Sequence, residues 1–365
     1  MSPLMPATEA LIAKLLGFIA QDGCDEAGFD ALALELFAHQ YAHNEPLRRF
    51  CQRRGITPRR VRGWRDIPAV PISAFKDATL SCEPTAACER VFMTSGTTRP
   101  ELRGRHWHPR IAVWDASMRG GFARHVMQGT ARLPMAILFP PEDELRNSSL
   151  ARYLAQAVRE FGAAGSGWFV GADTGMDRER LLAWLRQAQQ AGDPVAVLGA
   201  SFSFVHLMDA LAARGEALRL PPGSRLLDTG GYKGQSRELP LEDFYGSLSA
   251  ALGVPRERCI NMYGMTELSS QFYDAGNAAV PSVKRGPHWV RSRVVDPLTG
   301  RELPAGERGL LVHCDLASFN SSTTLLTEDV GVQQDGGFLL LGRAQGAQAQ
   351  GCSLAAEEFL QGASA

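Results

Sequence analysis

Thr94-Ser-Gly-Thr-Thr98 places four hydroxyls and a glycine in five residues, directly after the apolar Val91-Phe92-Met93, which reads as a strand end. Such a segment makes a poor core and a good cradle for anionic oxygens. Ser95, Thr97 and Thr98 can donate hydroxyl hydrogens, and Gly96 lets backbone N–H groups turn inward. The guest that suits this chemistry is a polyphosphate; the plainer alternative is a hydroxyl-rich turn, and the five residues alone do not separate the two. A second segment, Asn261-Met-Tyr-Gly-Met-Thr-Glu267, follows the apolar Cys259-Ile260. It offers an aromatic face at Tyr263, close approach at Gly264, a hydroxyl at Thr266 and a carboxylate at Glu267. Those are the parts for stacking a base, reaching a phosphate and holding Mg²⁺ through one carboxylate. A third, Arg225-Leu-Leu-Asp-Thr-Gly-Gly-Tyr-Lys233, ends a strand at Gly230 and Gly231 and continues with Tyr232 and Lys233. In open α/β sheets, ligands lie beyond the carboxyl ends of strands.

The elements that must position these residues are legible from periodicity. Residues 8–21 and 27–42 carry apolar side chains at helical spacing, among them Leu11, Leu15, Phe29, Leu32 and Leu36. Ile67–Lys76 is stiffened by Pro68 and Pro71 and is expected to be extended. His106-Trp-His108 reads as polar neighbours on a strand or, less readily, as a metal pair. Met135–Phe139 and Val195–Phe202 read as buried strands, and 148–161, 178–190 and 203–214 as helices. Strands alternating with helices predict a parallel, helix-covered sheet. From about 290 the texture changes to short strands with Pro and Gly turns, which predicts a small β subdomain.

Composition excludes several classes. The 365 residues are 45% hydrophobic and 21% charged with a net charge of −1, which argues against a nucleic-acid or membrane-surface role. No stretch reaches the roughly 18 apolar residues of a spanning helix. Seven scattered cysteines without a CxxC pair suggest neither a zinc site nor a disulfide framework, and a reducing, cytoplasmic setting is expected. The lysines are Lys14, Lys76, Lys233 and Lys284; nearly all other cations are arginine.

Taken together, Thr94–Thr98 and Tyr263–Glu267 resemble motifs of the adenylate-forming superfamily of acyl and aryl ligases. Within it, Gln40-Tyr41, Asn44, Phe50-Cys51, Ile67-Pro68 and Pro71-Ile-Ser-Ala-Phe-Lys76 resemble the acyl-protein synthetase branch, which includes the fatty-acid-activating subunit of bacterial bioluminescence. The resemblance covers nearly the whole chain. It implies a phosphate loop at Thr94, Ser95, Gly96, Thr97 and Thr98, and an adenylate- and metal-holding motif at Tyr263, Gly264, Thr266 and Glu267. It also implies adenine and ribose near Gly230, Gly231 and Tyr232, a ribose-binding carboxylate at Asp329, and a hinge arginine at Arg343. The implied fold is the large α/β domain of an adenylate-forming enzyme, with helix-covered, mostly parallel sheets and a small β subdomain; the C-terminal small domain would be absent or truncated. Expected regions are a helical entry at 1–90, a nucleotide- and acyl-binding core at 91–290, the β subdomain at 291–343 and a tail at 344–365 carrying Cys352.

The implied reaction uses ATP and Mg²⁺ to convert a carboxylic acid, fatty by the resemblance, into acyl-AMP, and then passes the acyl group to a protein cysteine. Cys352 is the implied acceptor. The small residues 344–351 suggest a mobile arm, and Cys352 precedes a short helix expected at Leu354–Gln361, whose N-terminus would favour thiolate. An apolar acid would suit a pocket that includes Phe202, Phe204 and Phe272. The expected partner is an acyl reductase, acyltransferase or carrier protein. Two departures stand out. No lysine follows Arg343, so Lys233 or Lys76 would replace the superfamily's small-domain lysine, and Arg99 stands where the phosphate loop usually has glycine. The alternatives are an acyl-CoA or acyl-carrier-protein ligase with an external thiol, and a non-catalytic nucleotide-binding scaffold.

Overall fold

The structure, a computed structural model, describes residues 3–95, 103–232, 234–334 and 336–363. The chain divides into two compact units. One comprises Met1–Met118, Met265–Gln271 and Arg285–Ala365; the other comprises Arg119–Gly264 and Phe272–Lys284. The units are thus interleaved along the sequence, whereas sequence texture suggests consecutive blocks.

In the second unit, the strand order is Phe272–Tyr273, Cys259–Tyr263, Arg225–Thr229, Ala196–Ala200, Met135–Leu138 and Gly167–Trp168. All neighbours are parallel except the first pair. Every residue of Met135–Leu138, Ala196–Ala200 and Arg225–Thr229 is buried, as expected of parallel strands covered on both faces. Helices Ser149–Phe161, Arg178–Ala191, Ser201–Ala212 and Leu241–Leu252 contribute the apolar faces of this unit. Leu182, Leu185, Phe204, Phe244 and Leu248 meet Val197 and Leu226 in its core, each burial contributing about 1.5–3 kcal/mol. Phe204 is thus part of this apolar core.

The first unit begins with helices Pro6–Ile19, Glu26–His43 and Glu45–Arg53. Asp25 caps the second through Gly28 N–H, and Asn44 caps the third through Leu47 N–H. Strands Val290–Val295, Arg308–Asp315, Thr324–Gln334 and Gly337–Arg343 form an antiparallel meander, with Val70–Pro71 added in parallel to Thr324–Gln334. The extended segment expected to Lys76 ends earlier, because Ala74–Asp77 is a helical turn. Proline restricts only itself and the residue before it, and no proline lies between Pro71 and Asp77.

The tail also differs from expectation. Ala347–Ala363 is one continuous helix, so the segment before Cys352 is no free arm. Ala and Gln at 347–350 are good helix formers, and their small size does not make them a linker. Phe359 of this helix meets Phe50 with ring centroids 5.0 Å apart, and Glu358 pairs with Arg54. Gly351 permits the docking: a Cβ there would lie 2.2 Å from the Pro297 carbonyl oxygen. Among the described residues, no helix is long and apolar enough to cross a membrane.

Candidate active site

Glu267 enters the first unit on a short excursion of the chain, Met265–Gln271. Its carboxylate is buried, and burial pushes its pKa up to about 7 against the opposing pull of its own backbone N–H, Lys76 and Arg343. Glu328 pushes in the same direction as burial. The carboxylate is accommodated because residue 104 is glycine, where a Cβ would stand 3.3 Å from Glu267 Oε1 and 3.2 Å from Thr94 Cγ2. Thr94 and Gly104 clasp each other: Gly104 N–H donates to Thr94 Oγ1 and Thr94 N–H to the Gly104 carbonyl, both at 3.0 Å. They extend the antiparallel pair Arg90–Met93 and Arg105–His108. The start of the expected phosphate loop, Thr94 and Ser95, is thus beside the Glu267 carboxylate or joined to the residue that is. Gly96, Thr97 and Thr98, with Arg99 and Lys233, lie outside the described residues.

The excursion is held at both ends. The Thr266 carbonyl accepts from His106 Nδ1 at 2.9 Å, and Ser321 Oγ donates to His106 Nε2 at 3.0 Å. Because a carbonyl only accepts, these contacts fix the tautomer. Burial pushes His106 down to about 4, which keeps it neutral. With both ring nitrogens engaged, His106 is no metal ligand. At the other end, the fully buried Asp315 accepts from the backbone N–H groups of Ser269 and Ser270 at 2.9 and 2.8 Å and from Ser270 Oγ at 2.7 Å.

Behind His106, Asn44 Nδ2 donates to the Ser321 carbonyl at 2.7 Å. Gln40 Nε2 donates to the carbonyls of Ser318 and Phe319 at 2.9 Å each, while Thr323 N–H donates to Gln40 Oε1. Gln40 and Asn44, which appeared in the sequence only as parts of a resemblance, therefore hold the buried turn that orients His106. Sequence reasoning missed this network, since Ser318–Thr323 looks like a surface loop by composition. Burial and donor pairing turn those small polar residues into a scaffold.

Asp329 and Arg343 are register partners on neighbouring strands. Arg343 Nη2 donates to Glu328 at 2.6 Å, and its Nε lies 3.6 Å from Asp329 Oδ1. Asp329 is buried to 6% exposure. If it receives the ribose hydroxyls, Asp329→Ala should weaken ATP binding roughly tenfold to hundredfold, the effect of losing a charge-assisted hydrogen bond of about 1.5–3 kcal/mol. Calorimetric titration with ATP checks this; unaltered affinity would assign Asp329 to holding Arg343 instead.

Cys352 lies inside the C-terminal helix, half-buried against a cluster that includes Val295, Leu310, Val312 and Val330. Its Sγ donates to the Thr327 carbonyl at 3.8 Å. Burial, with Glu328 as the next contributor, pushes the thiol up to about 11. The expected helix-terminal thiolate is therefore not what this docked position supports, because the thiol is past the first turn and half-buried.

The second unit brings Gly230, Gly231 and Tyr232 next to Tyr263 and Gly264. They follow or end the parallel strands Arg225–Thr229 and Cys259–Tyr263, in which Asp228 faces Asn261 and Thr229 faces Met262. Thr229 Oγ1 donates to the Met262 carbonyl at 2.8 Å. Buried Asp228 accepts from Ser201 Oγ at 2.7 Å and from Tyr245 OH and Asn261 Nδ2, each at 2.9 Å. Burial pushes its carboxyl above the ordinary range, while these donors and Lys284 pull it back. The Tyr232 ring packs edge-on against Phe244, and its hydroxyl donates to the Leu239 carbonyl at 3.1 Å. Lys284 is committed to buried Asp274 at 2.6 Å, and Lys14 pairs with Glu35. Of the described lysines, this leaves Lys76 as the one acting on Glu267.

The site residues fit Mg²⁺ in one specific way. Among the described residues, no group of three or more His, Cys, Asp or Glu side chains could hold a metal. Glu267 is instead a single buried carboxylate whose ionised form a nearby cation would favour, as Lys76 and Arg343 already do. Mg²⁺ is commonly held by one or two carboxylates together with substrate phosphates.

Residues 19–361 match the family described as acyl-protein synthetase, LuxE. The chain is 23% identical over 303 residues to a long-chain-fatty-acid–luciferin-component ligase of Vibrio harveyi, covering 82% of this chain and 77% of that protein. A protein of the same name from Aliivibrio fischeri is 23% identical over 321 residues, covering 84% and 79%. Among solved structures, 2-hydroxyisobutyryl-CoA ligase in its postadenylation state matches with a TM-score of 0.65 at 17% identity, over 87% of this chain and 67% of that one. ATP-bound MatB from Rhodopseudomonas palustris matches with a TM-score of 0.51 at 19% identity, over 73% of this chain and 49% of that one. At such identities the structures establish the fold alone, that of an adenylate-forming ligase. With the family match spanning nearly its whole length, the chain belongs to the LuxE acyl-protein synthetases, ATP-dependent acyl ligases by family.

Proposed function

We propose that this protein activates a long-chain fatty acid as its acyl-adenylate and transfers the acyl group to its own Cys352. A carboxylate oxygen of the acid attacks the α-phosphorus of ATP. The bond to the bridging α,β oxygen breaks, and pyrophosphate leaves. The Cys352 sulfur, having lost its proton to solvent, then attacks the acyl carbonyl; the bond from the carbonyl carbon to the phosphate oxygen breaks and AMP leaves. Dividing the transfer in this way is covalent catalysis.

The observation that carries the first step is Glu267, a buried carboxylate with a pKa near 7, adjoining the hydroxyl-rich segment that begins at Thr94. Glu267 would hold Mg²⁺, which supplies charge neutralisation at the phosphates when bound. Thr94–Thr98 would cradle the phosphates, and Thr266 would orient them. Gly230, Gly231, Tyr232, Tyr263 and Gly264 would take the adenylate, Asp329 the ribose, and Arg343 would act as a hinge. Lys76 or Lys233 would stabilise developing negative charge. The names of the two relatives support a long-chain fatty acid, and an acyl reductase, acyltransferase or carrier protein would receive the product.

A second reading has support of its own. Cys352 as docked sits half-buried inside a helix with its thiol pushed up to about 11, which gives weight to transfer to an external thiol such as coenzyme A. The two share adenylation and part at the acceptor. Acid-dependent ATP–pyrophosphate exchange should be present in either case, and its absence would refute both. Incubation with radiolabelled fatty acid and ATP should leave acid-stable, hydroxylamine-labile label on the chain only if the protein thiol accepts.

A further inference from the structure

We infer that His106 is a positioning residue for the Glu267 segment, holding it in place through the Thr266 carbonyl as the inner link of a polar relay from the second helix and its cap. This rests on Glu267 being the adenylation carboxylate. The relay runs from Asn44 Nδ2 to the Ser321 carbonyl, from Ser321 Oγ to His106 Nε2, and from His106 Nδ1 to the Thr266 carbonyl. Each contact lies between 2.7 and 3.0 Å, and Asn44, Ser321 and His106 are all at most 1% exposed.

Two features separate positioning from ordinary core filling. First, the held carbonyl belongs to the residue immediately before Glu267, so a shift at Thr266 passes directly to the Glu267 backbone. Second, the relay is directional. The ring has one donor and one acceptor nitrogen, and each is matched: a carbonyl on one side and a hydroxyl on the other. Rotation of the ring, or its replacement by a side chain that cannot donate from the Nδ1 position, leaves a buried carbonyl without its donor. Phe75 packs edge-on against the ring with centroids 5.6 Å apart, and His108 packs tilted with centroids 4.3 Å apart, which limits its rotation. Asp315 secures only the far end, at Ser269 and Ser270. The near end of the excursion, which carries the carboxylate, is tied by its own Met265–Leu268 turn and, from outside the excursion, by His106.

The test compares His106→Ala, His106→Asn and His106→Gln. Asparagine can place its Nδ2 near the position of the imidazole Nδ1 and so restore the donor to Thr266; glutamine places its amide near Nε2 and does not. In acid-dependent ATP–pyrophosphate exchange, Ala and Gln should lower kcat by up to about a hundredfold, the scale of a misplacement outside the reacting atoms. The Mg²⁺ concentration needed for half-maximal rate should rise, KM for the acid should stay unchanged, and Asn should recover most of the rate. Hydrogen–deuterium exchange of peptides spanning 262–272 gives a readout independent of activity: faster exchange in Ala and Gln, near native in Asn. Should His106→Ala not fold, Ser321→Ala removes only the hydroxyl that orients Nε2, and intermediate exchange is expected. Native kinetics and native exchange of 262–272 in the Ala variant would overturn the inference. So would equal impairment of Asn and Gln accompanied by equal losses of thermal midpoint, which would mark simple packing. Wild-type protein without pyrophosphate exchange would refute the adenylation reading, while the hydrogen-exchange comparison would still decide whether His106 holds the segment.

Discussion

Glu267→Gln is expected to lower acid-dependent ATP–pyrophosphate exchange by about two to three orders of magnitude, the scale lost when one aligned electrostatic group is removed from an active site. The substitution keeps shape and hydrogen-bonding size and removes only the charge. The carboxylate is well suited to the comparison because burial already disfavours its ionised form. Without ligand, the glutamine variant escapes that penalty, so its thermal midpoint should match or exceed that of the wild type. Loss of activity without loss of stability is therefore the signature. Exchange at the wild-type rate would remove Glu267 from the chemistry. An equal fall in both quantities would make it a structural residue.

Cys352→Ser separates the half-reactions: exchange should stay near wild type while covalent acyl label disappears. A serine hydroxyl without a base is a far weaker nucleophile than a thiolate. Burial pushes the docked thiol up to about 11, so the proposed transfer needs the Cys352 proton to be removed before the sulfur attacks. Four of the other cysteines offer little competition, whereas Cys24 and Cys88 are half-buried like Cys352 and serve as control substitutions. Burial pushes Cys51, Cys259 and Cys314 each to about 12, and Cys82 is raised as well. A Cys352→Ser protein that still acquires label at full rate would move the acceptor to another group on the chain. Wild-type protein that never acquires label, yet forms acyl-CoA, would favour the external thiol.

The parallel sheet was legible because its strands are buried on both faces and appear in sequence as uninterrupted apolar runs, such as Met135–Leu138. The candidate residues stood out because hydroxyls, glycines and a carboxylate concentrate in short segments after apolar runs. What organises Glu267 was not legible. The residues that hold its segment, His106, Asp315 and Ser321, are scattered along the chain; Asp315 and Ser321 carry no local signal, and the His106–His108 pair suggests a metal rather than a backbone tie. Ser318–Thr323 shows how composition misleads, since six consecutive residues that look solvent-seeking, Phe319 apart, are buried and satisfied by distant donors and acceptors. The tail shows the converse. Alanine and glutamine at 347–350 look like a linker when read for size, yet they form a helix because their propensity is high and Phe359 has an apolar seat beside Phe50.

The interleaving of the two units limits how the gene could be dissected. A fragment ending at Gly264 would carry most of the parallel-sheet unit but lack Phe272–Tyr273, the antiparallel neighbour of Cys259–Tyr263, together with the Asp274–Lys284 pair. A fragment extended to Lys284 would regain these and also include Met265–Gln271, now without Asp315 to receive the Ser269 and Ser270 amides. No single cut therefore yields two pieces that each hold one complete unit. Exchange of whole units between relatives requires several junctions at once, and fusion tags or inserted reporters are best placed in exposed turns such as Leu298–Arg301, whose backbone is tied only to itself and to Asp296.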